Sequence, residues 1–144
     1  MPKPRPIHPD FRRLLDRKDT ELIDLFTDAR SFILDLPPDS NELLYHTHAL
    51  TSVFTVAEKL SGAFCMLPVY TAHVNLGVNK GTLLEDPRSL LKGTGRLIRQ
   101  IPVSQAGDYR NTQVKALVNA AMACAVNDLD VPRAASAKTI SRIR

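Results

Sequence analysis

Residues 72–79, AHVNLGVN, alternate apolar and polar side chains without a break. Because successive residues of an extended strand face opposite sides, this pattern predicts a β-strand with one core face and one polar face. The apolar row consists of Ala72, Val74, Leu76 and Val78. The polar row consists of His73, Asn75, Gly77 and Asn79. Gly77 leaves a gap for a ligand or another backbone, although such alternation is also typical of a strand with one solvated face.

Further segments with the strand period lie on both sides of this stretch. Residues 51–57, 63–70 and 96–103 are rich in Val, Phe, Ile and Tyr, as strands are. Since no crossover helix separates these segments, they predict antiparallel pairing.

Helices are predicted before and after this group of strands. A segment opened by Asp10 and a longer one capped by Asp19 or Thr20 precede it, and residues 107–129 follow it. The buried side of the last helix is predicted at Val114, Leu117, Val118, Ala121 and Ala125. Short helical segments are also predicted at Ser40–His46 and from Asp86 to Gly93. Helices covering one face of an antiparallel sheet make the fold class α+β.

The chain has 144 residues, of which 44% are hydrophobic, which is typical of one domain with its own core. No apolar run approaches the ~20 residues of a membrane span, and no apolar stretch of a secretory signal follows the N-terminus. We therefore expect a single cytoplasmic domain over residues 10–130, with no membrane partner. An extended proline-rich arm (1–9) precedes it, and a basic, mobile tail (131–144) follows it.

The formal net charge is +4 and the isoelectric point is about 9.3. Much of the basic excess lies in the terminal segments, at Lys3, Arg5, Arg133, Lys138, Arg142 and Arg144. Basic tails of this kind can contact phosphate backbones. Aromatic residues make up only 6% of the chain and do not alternate with basic ones as in stacking surfaces, so nucleic acid is not the favoured partner.

A candidate ligand site lies on the polar row of residues 72–79 and the turns that follow it. The sequences NKGT (79–82) and LKGT (91–94) place glycine-containing turns beside lysines, a combination that can hold an anion. The candidate ligand-binding residues are His73, Asn75, Asn79, Lys80, Arg96 and Arg99. Neither a phosphate loop nor a dinucleotide-binding motif is present. Arg99 shares a strand side with core residues, so we expect it to fix the nearby loop through carbonyls or a carboxylate such as Asp86 or Glu85.

An acidic stripe follows one side of the second predicted helix. At about 100° per residue, its carboxylates fall within roughly 60° of one another. They belong to Glu21, Asp24, Asp28 and Asp35. Carboxylates one turn apart can hold a hard cation, although a charge run is also typical of a solvated helix face.

The sequence contains no known catalytic motif, neither a G-x-S-x-G elbow nor an H-E-x-x-H pair, so an enzyme ranks last among the hypotheses. His46 and His48 are two residues apart and suggest no third metal ligand. Cys65 and Cys124 have apolar neighbours, the usual setting of buried free thiols.

Residues 70–103, YTAHVNLGVNKGTLLEDPRSLLKGTGRLIRQIPV, resemble the YdhG-like family of bacterial domains of unknown function. The resemblance covers roughly residues 39–126 and is most specific from His73 to Arg99; near relatives carry a histidine where this chain has Gln100. It implies a single α+β domain whose curved, mainly antiparallel sheet of about four to five strands is flanked by N-terminal helices and a long C-terminal helix. Some members are described as frataxin-like iron chaperones.

Two functions follow as predictions. The first is a non-enzymatic cytoplasmic protein, without a cofactor, that binds a small ligand or anion on the His73/Asn75/Asn79 strand face. The alternative is a frataxin-like chaperone that binds iron on the acidic helix. The partner is either a small ligand or another protein.

Overall fold

The computed structural model describes residues 5–129, 133 and 136–144. Over these residues the chain forms three α-helices and six β-strands. The helices are α1 (Pro9–Leu15), α2 (Thr20–Asp35) and α3 (Thr112–Asp128). The strands are β1 (Asn41–His46), β2 (Leu50–Thr55), β3 (Ala63–Val69), β4 (Val74–Val78), β5 (Arg99–Val103) and β6 (Thr139–Ser141). The predicted fold class, α+β, is confirmed.

The described strands form one mixed sheet of six in the order β5-β4-β3-β2-β1-β6. β1 to β5 follow one another in chain order, and each is antiparallel to the next. β6 lies parallel to β1 at the outer edge. The antiparallel pairing agrees with the prediction. The sixth strand and its parallel pairing with β1 were not predicted.

The helices bury their apolar sides against one face of the sheet. α3 contacts β3 and β4, α2 contacts the same two strands, and α1 contacts β2. The buried residues of α3 are the five predicted ones, Val114, Leu117, Val118, Ala121 and Ala125. The matching face of the sheet is formed by residues that are at most 5% exposed, among them Phe54, Leu67, Val74, Leu76 and Ile101. The apolar row of β4 therefore faces the helices, as its alternation predicts.

The gap expected at Gly77 is filled by a neighbouring side chain. Gly77 pairs with Met66 of β3, and a Cβ atom added at Gly77 would lie 2.7 Å from Met66 Cγ. The glycine thus makes room for methionine rather than for a ligand, and the predicted opening at this position is wrong.

The segment Ser40–His46, predicted as a short helix, is the strand β1 instead. It pairs with β2 in continuous register, from Asn41 opposite Thr55 to His46 opposite Leu50. Residues 40–44 are all buried, so both sides of this strand are covered and no alternation marks it in the sequence. Pairing with distant strands outweighs the local helical pattern here.

The predicted helical turn after Asp86 is an irregular loop. The Asp86 carboxylate accepts hydrogen bonds from the backbone N–H groups of Leu90 and Leu91, both at 2.9 Å. At the other end of the chain, α1 begins two residues earlier than predicted. Its N-cap is His8 instead of Asp10, and His8 Nδ1 accepts a hydrogen bond from the N–H of Asp10 at 3.1 Å.

Both terminal segments are held against β1. Arg5 donates hydrogen bonds to the carbonyls of Ser40 (2.9 Å) and Pro38 (3.0 Å). The Asn41 side-chain oxygen accepts from the N–H groups of residues 136 and 138 at 3.1 and 3.0 Å. Part of the tail expected to be mobile therefore has fixed partners and forms β6. Residues 1–4 of the predicted arm, and residues 130–132 and 134–135, lie outside the described residues.

A buried ion pair joins α2 to β1. Arg30 (4% exposed) donates to both carboxylate oxygens of Glu42 (1% exposed), at 2.7 and 2.8 Å. Ser52 and Thr139 also donate to this carboxylate, and Arg30 donates to the carbonyl of Arg5 at 2.7 Å. Burial raises the pKa of Glu42, but the hydrogen bonds and charge of Arg30, with those two hydroxyl groups, outweigh it and leave the pKa below its ordinary value. Nothing in the local sequence predicts this pair.

Candidate functional site

The predicted ligand-binding residues lie at opposite ends of β4. His73 precedes the strand, exposed, with its ring stacked on that of Tyr70 at a centroid distance of 4.5 Å. Lys80 lies in the turn after the strand, and the five residues of β4 between the two side chains span about 17 Å. The structure therefore does not bring His73 together with the predicted cations.

Within the described residues, Lys80 has an ion-pair partner and Arg96 has none. Lys80, whose backbone is left-handed (φ 56°), forms an ion pair with Asp128 at the end of α3. The hydrogen bond to this carboxylate raises the pKa of Lys80. The Arg96 side chain is exposed and has no ion-pair partner among the described residues. Lys80 is thus occupied by a structural contact, and Arg96 is not.

Arg99 fixes the loop before β5. It donates from Nε to the carbonyl of Gly95 at 2.9 Å and from Nη1 to that of Gly93 at 2.7 Å. This is the structural role expected for Arg99, but its partners are loop carbonyls, and Asp86 is bound elsewhere. Its hydrogen-bonding groups are directed at the loop, not at His73.

The part of the polar row that lies within β4, Asn75 and Gly77, is buried rather than solvated. Asn75 is 8% exposed and lies opposite Pro102 of β5. The side-chain oxygen of Asn79 is buried and has no hydrogen-bond partner within the described residues. Neither residue borders one of the cavities described below.

The acidic stripe of α2 is divided between bound and exposed carboxylates. Asp28 accepts hydrogen bonds from the Tyr109 hydroxyl and from Arg110 Nε (2.9 Å) and Nη2 (3.0 Å). The hydrogen bond from Arg110 is the main reason why the pKa of Asp28 lies below its ordinary value. The remaining members, Glu21, Asp24 and Asp35, are exposed.

The described residues contain no group of three or more His, Cys, Asp or Glu side chains that could hold a metal ion. The iron-binding alternative stays a prediction. Of the four carboxylates of the acidic stripe, that of Asp28 is already bound by the Arg110 guanidinium and the Tyr109 hydroxyl.

A cavity of about 390 Å³ opens where α1 turns into α2, beside the end of the sheet that carries the β3–β4 hairpin. We call it the hairpin-end cavity. Its basic lining consists of Arg17, Lys18 and His46. Leu14 and Leu50 supply apolar surface. The cavity therefore combines positive charge with an apolar wall.

A smaller cavity of about 280 Å³ shares Asp19 with the hairpin-end cavity. Its lining includes His73 and Glu21, which come from the two separate sets of predicted site residues. Asp19 is the N-cap of α2, yet its side chain makes no capping hydrogen bond. The two cavities thus meet at the N-cap of α2.

A third cavity, of about 480 Å³, lies between α3 and the loop at residues 83–88. Much of its lining is apolar, from Leu83, Leu84, Ala116, Leu117 and Ala120. Two acidic residues, Glu85 and Asp86, outnumber the one basic residue in the lining, Arg88. It does not suit an anion.

The basic pair Arg17-Lys18 was not among the predicted site residues. Its signal in the sequence is a charged turn, DRKD (16–19), between two predicted helices. The rest of the lining, His46 and Thr71, comes from distant segments, so the cavity has no local signature.

The cysteines are not placed for catalysis. Cys65 is fully buried, and burial raises the pKa of its thiol. Cys124 is half-buried, with its Sγ 3.7 Å from the carboxylate of Asp128.

No described helix is both long and apolar enough to span a lipid bilayer. Comparisons with protein-family models, with curated proteins and with solved structures find no match to this chain. The resemblance to the YdhG-like family therefore stays a prediction.

Proposed function

We propose that the protein is a non-enzymatic cytoplasmic binding protein for a small anion with an apolar part, held in the hairpin-end cavity. The observation that carries the proposal is the grouping of Arg17, Lys18 and His46 around one cavity of about 390 Å³. Within the described residues, none of the three side chains has an ion-pair partner. The proposed function is the small-ligand binding predicted from the sequence. The proposed site is at the end of the sheet instead of on the strand face of β4.

The charges around the cavity favour an anion. The nearby Arg12 is paired with Asp16 at 3.2 Å, so this pair adds little net charge. Asp19 is the single carboxylate in the lining, against Arg17 and Lys18. The N-terminus of α2 adds the positive end of a helix dipole. A bound anion would therefore meet a net positive field.

The apolar wall limits the ligand further. Leu14 and Leu50 border the same space, and small-molecule sites usually combine apolar surface with a few polar groups in about 300–1,000 Å³. A small aromatic or aliphatic carboxylate, or a phosphate monoester, fits both features. Inorganic phosphate has no apolar part, so it would contact only the basic residues of the cavity lining.

The test is thermal unfolding of the full chain with benzoate, phenyl phosphate and inorganic phosphate as probes, and with neutral benzamide as the uncharged match to benzoate. We expect the organic anions to raise Tm and benzamide to leave it unchanged. A probe at 100 times its Kd stabilises by about 2.7 kcal/mol. The variant Arg17→Gln/Lys18→Gln should lose the shift.

The control variant Lys92→Gln/Arg96→Gln removes the same charge at the opposite end of β4. It should keep the shift of the parent. The proposal is wrong if no anion raises Tm, if benzamide works as well as benzoate, or if the control variant loses the shift to the same extent.

A further inference from the structure

The large apolar side chains that stay exposed are collected at one end of the molecule. Over the described residues there are five, each between 36% and 65% exposed. They are Leu60, Leu83, Leu97, Ile98 and Val126. All belong to segments at the end of the sheet where β4 finishes and β3 begins. We call this group the apolar end; the hairpin-end cavity lies at the other end of the same strands.

Direct contacts bring most of these segments together. Thr82 donates from its N–H to the carbonyl of Leu97 (3.2 Å) and from Oγ1 to that of Arg96 (2.8 Å). These bonds join the turn that carries Leu83 to the loop that carries Ile98. The ion pair of Lys80 with Asp128 brings the end of α3 to the same place.

Leu60 belongs to the short turn at residues 60–62 that leads into β3. This turn contacts α3 and is tied to the chain after β2, since Val56 donates its N–H to the carbonyl of Gly62 at 2.9 Å. Leu60 therefore projects from the same end as Val126.

The charges that are free at this end are mainly positive. Lys59 and Arg96 are exposed and form no ion pair within the described chain. The carboxylates nearby are largely bound. Glu58 pairs with Lys138, Asp128 pairs with Lys80, and Asp86 accepts two backbone N–H groups. Among the described carboxylates here, Glu85 is the exception.

We propose that the apolar end docks onto an anionic lipid surface. Aliphatic side chains on loops enter the boundary between headgroups and acyl chains, where their apolar area leaves water. Lysine and arginine beside them are attracted to the anionic headgroups. The expectation of no membrane partner rests on the lack of a spanning segment, and it does not address contact with a surface.

The experiment is co-sedimentation of the full chain with vesicles of phosphatidylcholine, alone or mixed with phosphatidylserine. We expect binding to the mixed vesicles, weaker binding at high salt because the charges are screened, and little binding to phosphatidylcholine alone. The variant Leu83→Ser/Leu97→Ser/Ile98→Ser should bind the mixed vesicles about tenfold more weakly or worse, because it removes three aliphatic groups from the contact.

Two charge variants separate this surface from the basic tail. Lys59→Gln/Arg96→Gln should weaken vesicle binding. Arg142→Gln/Arg144→Gln removes the same charge next to the far end of β1, where Arg142 donates its N–H to the carbonyl of Leu44 at 2.8 Å, and it should bind as the parent does. Thermal unfolding confirms that each variant is folded.

The proposal is overturned if the parent does not sediment with the mixed vesicles, if the triple variant binds as well as the parent, or if the tail variant loses as much binding as Lys59→Gln/Arg96→Gln. It is also overturned if the parent is a dimer in solution and the triple variant a monomer, since a second copy would then cover the apolar end. The apolar end and the hairpin-end cavity share no residue. The vesicle experiment and the anion-binding experiment therefore test the two proposals independently.

Discussion

Replacing Glu42 by glutamine tests the buried ion pair between α2 and β1. The carboxylate receives two hydrogen bonds from Arg30, at 2.7 and 2.8 Å, and both residues are almost fully buried. Glutamine keeps the shape of the side chain and one oxygen, but it leaves the guanidinium in the interior without a counter-charge. We expect a loss of about 3–5 kcal/mol in the free energy of unfolding.

This loss corresponds to a large fall in Tm. Unfolding entropy of about 2.1 cal/mol/K per residue gives roughly 0.3 kcal/mol/K for a chain of this length, so Tm should fall by about 10–17 °C. The total stability of a domain is only about 5–15 kcal/mol. Measurements on the variant therefore belong at low temperature, where it is still folded.

The assay is urea unfolding followed by circular dichroism, on the parent, on Glu42→Gln and on the double variant Arg30→Met/Glu42→Leu. Because the double variant buries no charge, it should be more stable than Glu42→Gln. The reasoning is refuted if Glu42→Gln loses less than about 1 kcal/mol, the value of an exposed pair, or if the double variant is the less stable of the two.

The same pair gives stability a pH dependence. The pKa of Glu42 is lower in the folded than in the unfolded chain, so its contribution is complete above the unfolded pKa and disappears as the pH falls through the folded one. The parent should therefore lose stability in acid more steeply than Glu42→Gln. Equal slopes below the ordinary glutamate range would contradict this.

Two further predictions concern the loop before β5 and the space at Gly77. Arg99→Met removes two hydrogen bonds to loop carbonyls and should lower the free energy of unfolding by about 1–3 kcal/mol; stability equal to that of the parent in urea would disprove the fixing role. Gly95→Ala would place a Cβ atom 2.6 Å from the rigid carbonyl oxygen of Ile98, so it should destabilise by about 1–3 kcal/mol. Gly77→Ala meets the flexible side chain of Met66 and should lower Tm less than Gly95→Ala does; the reverse order would contradict this steric argument.

Elements with a local apolar period could be predicted from the sequence. The spacing of Leu22, Phe26 and Ile33 identifies α2, and all three are buried. The strand β1 could not be predicted, because four consecutive buried residues, 41–44, show no period. The polar residues of β1 are buried only because they have partners in other segments; the partner of Glu42 is Arg30 of α2. Since the sequence does not show such a partner, a glutamate is predicted to be exposed.

The candidate site shows the same division between local and distant information. The sequence predicts the strand that carries Asn75, with His73 just before it. The extended chain separates the two ends of the polar row, so residues that are near in sequence do not converge. The hairpin-end cavity takes Arg17 from the turn before α2, His46 from β1 and Thr71 from the β3–β4 hairpin. Only the arrangement of the strands brings these three segments together.

The parallel strand β6 has a consequence for biosynthesis. Thr139, which donates to Glu42, lies 97 residues further along the chain. While the ribosome is still making the protein, the Arg30–Glu42 pair can already form, but the outer edge of β1 has no strand beside it. An open edge invites pairing with other chains, so the nascent protein passes through a stage prone to aggregation. That stage ends once residues 139–141 have left the exit tunnel and cover this edge of β1.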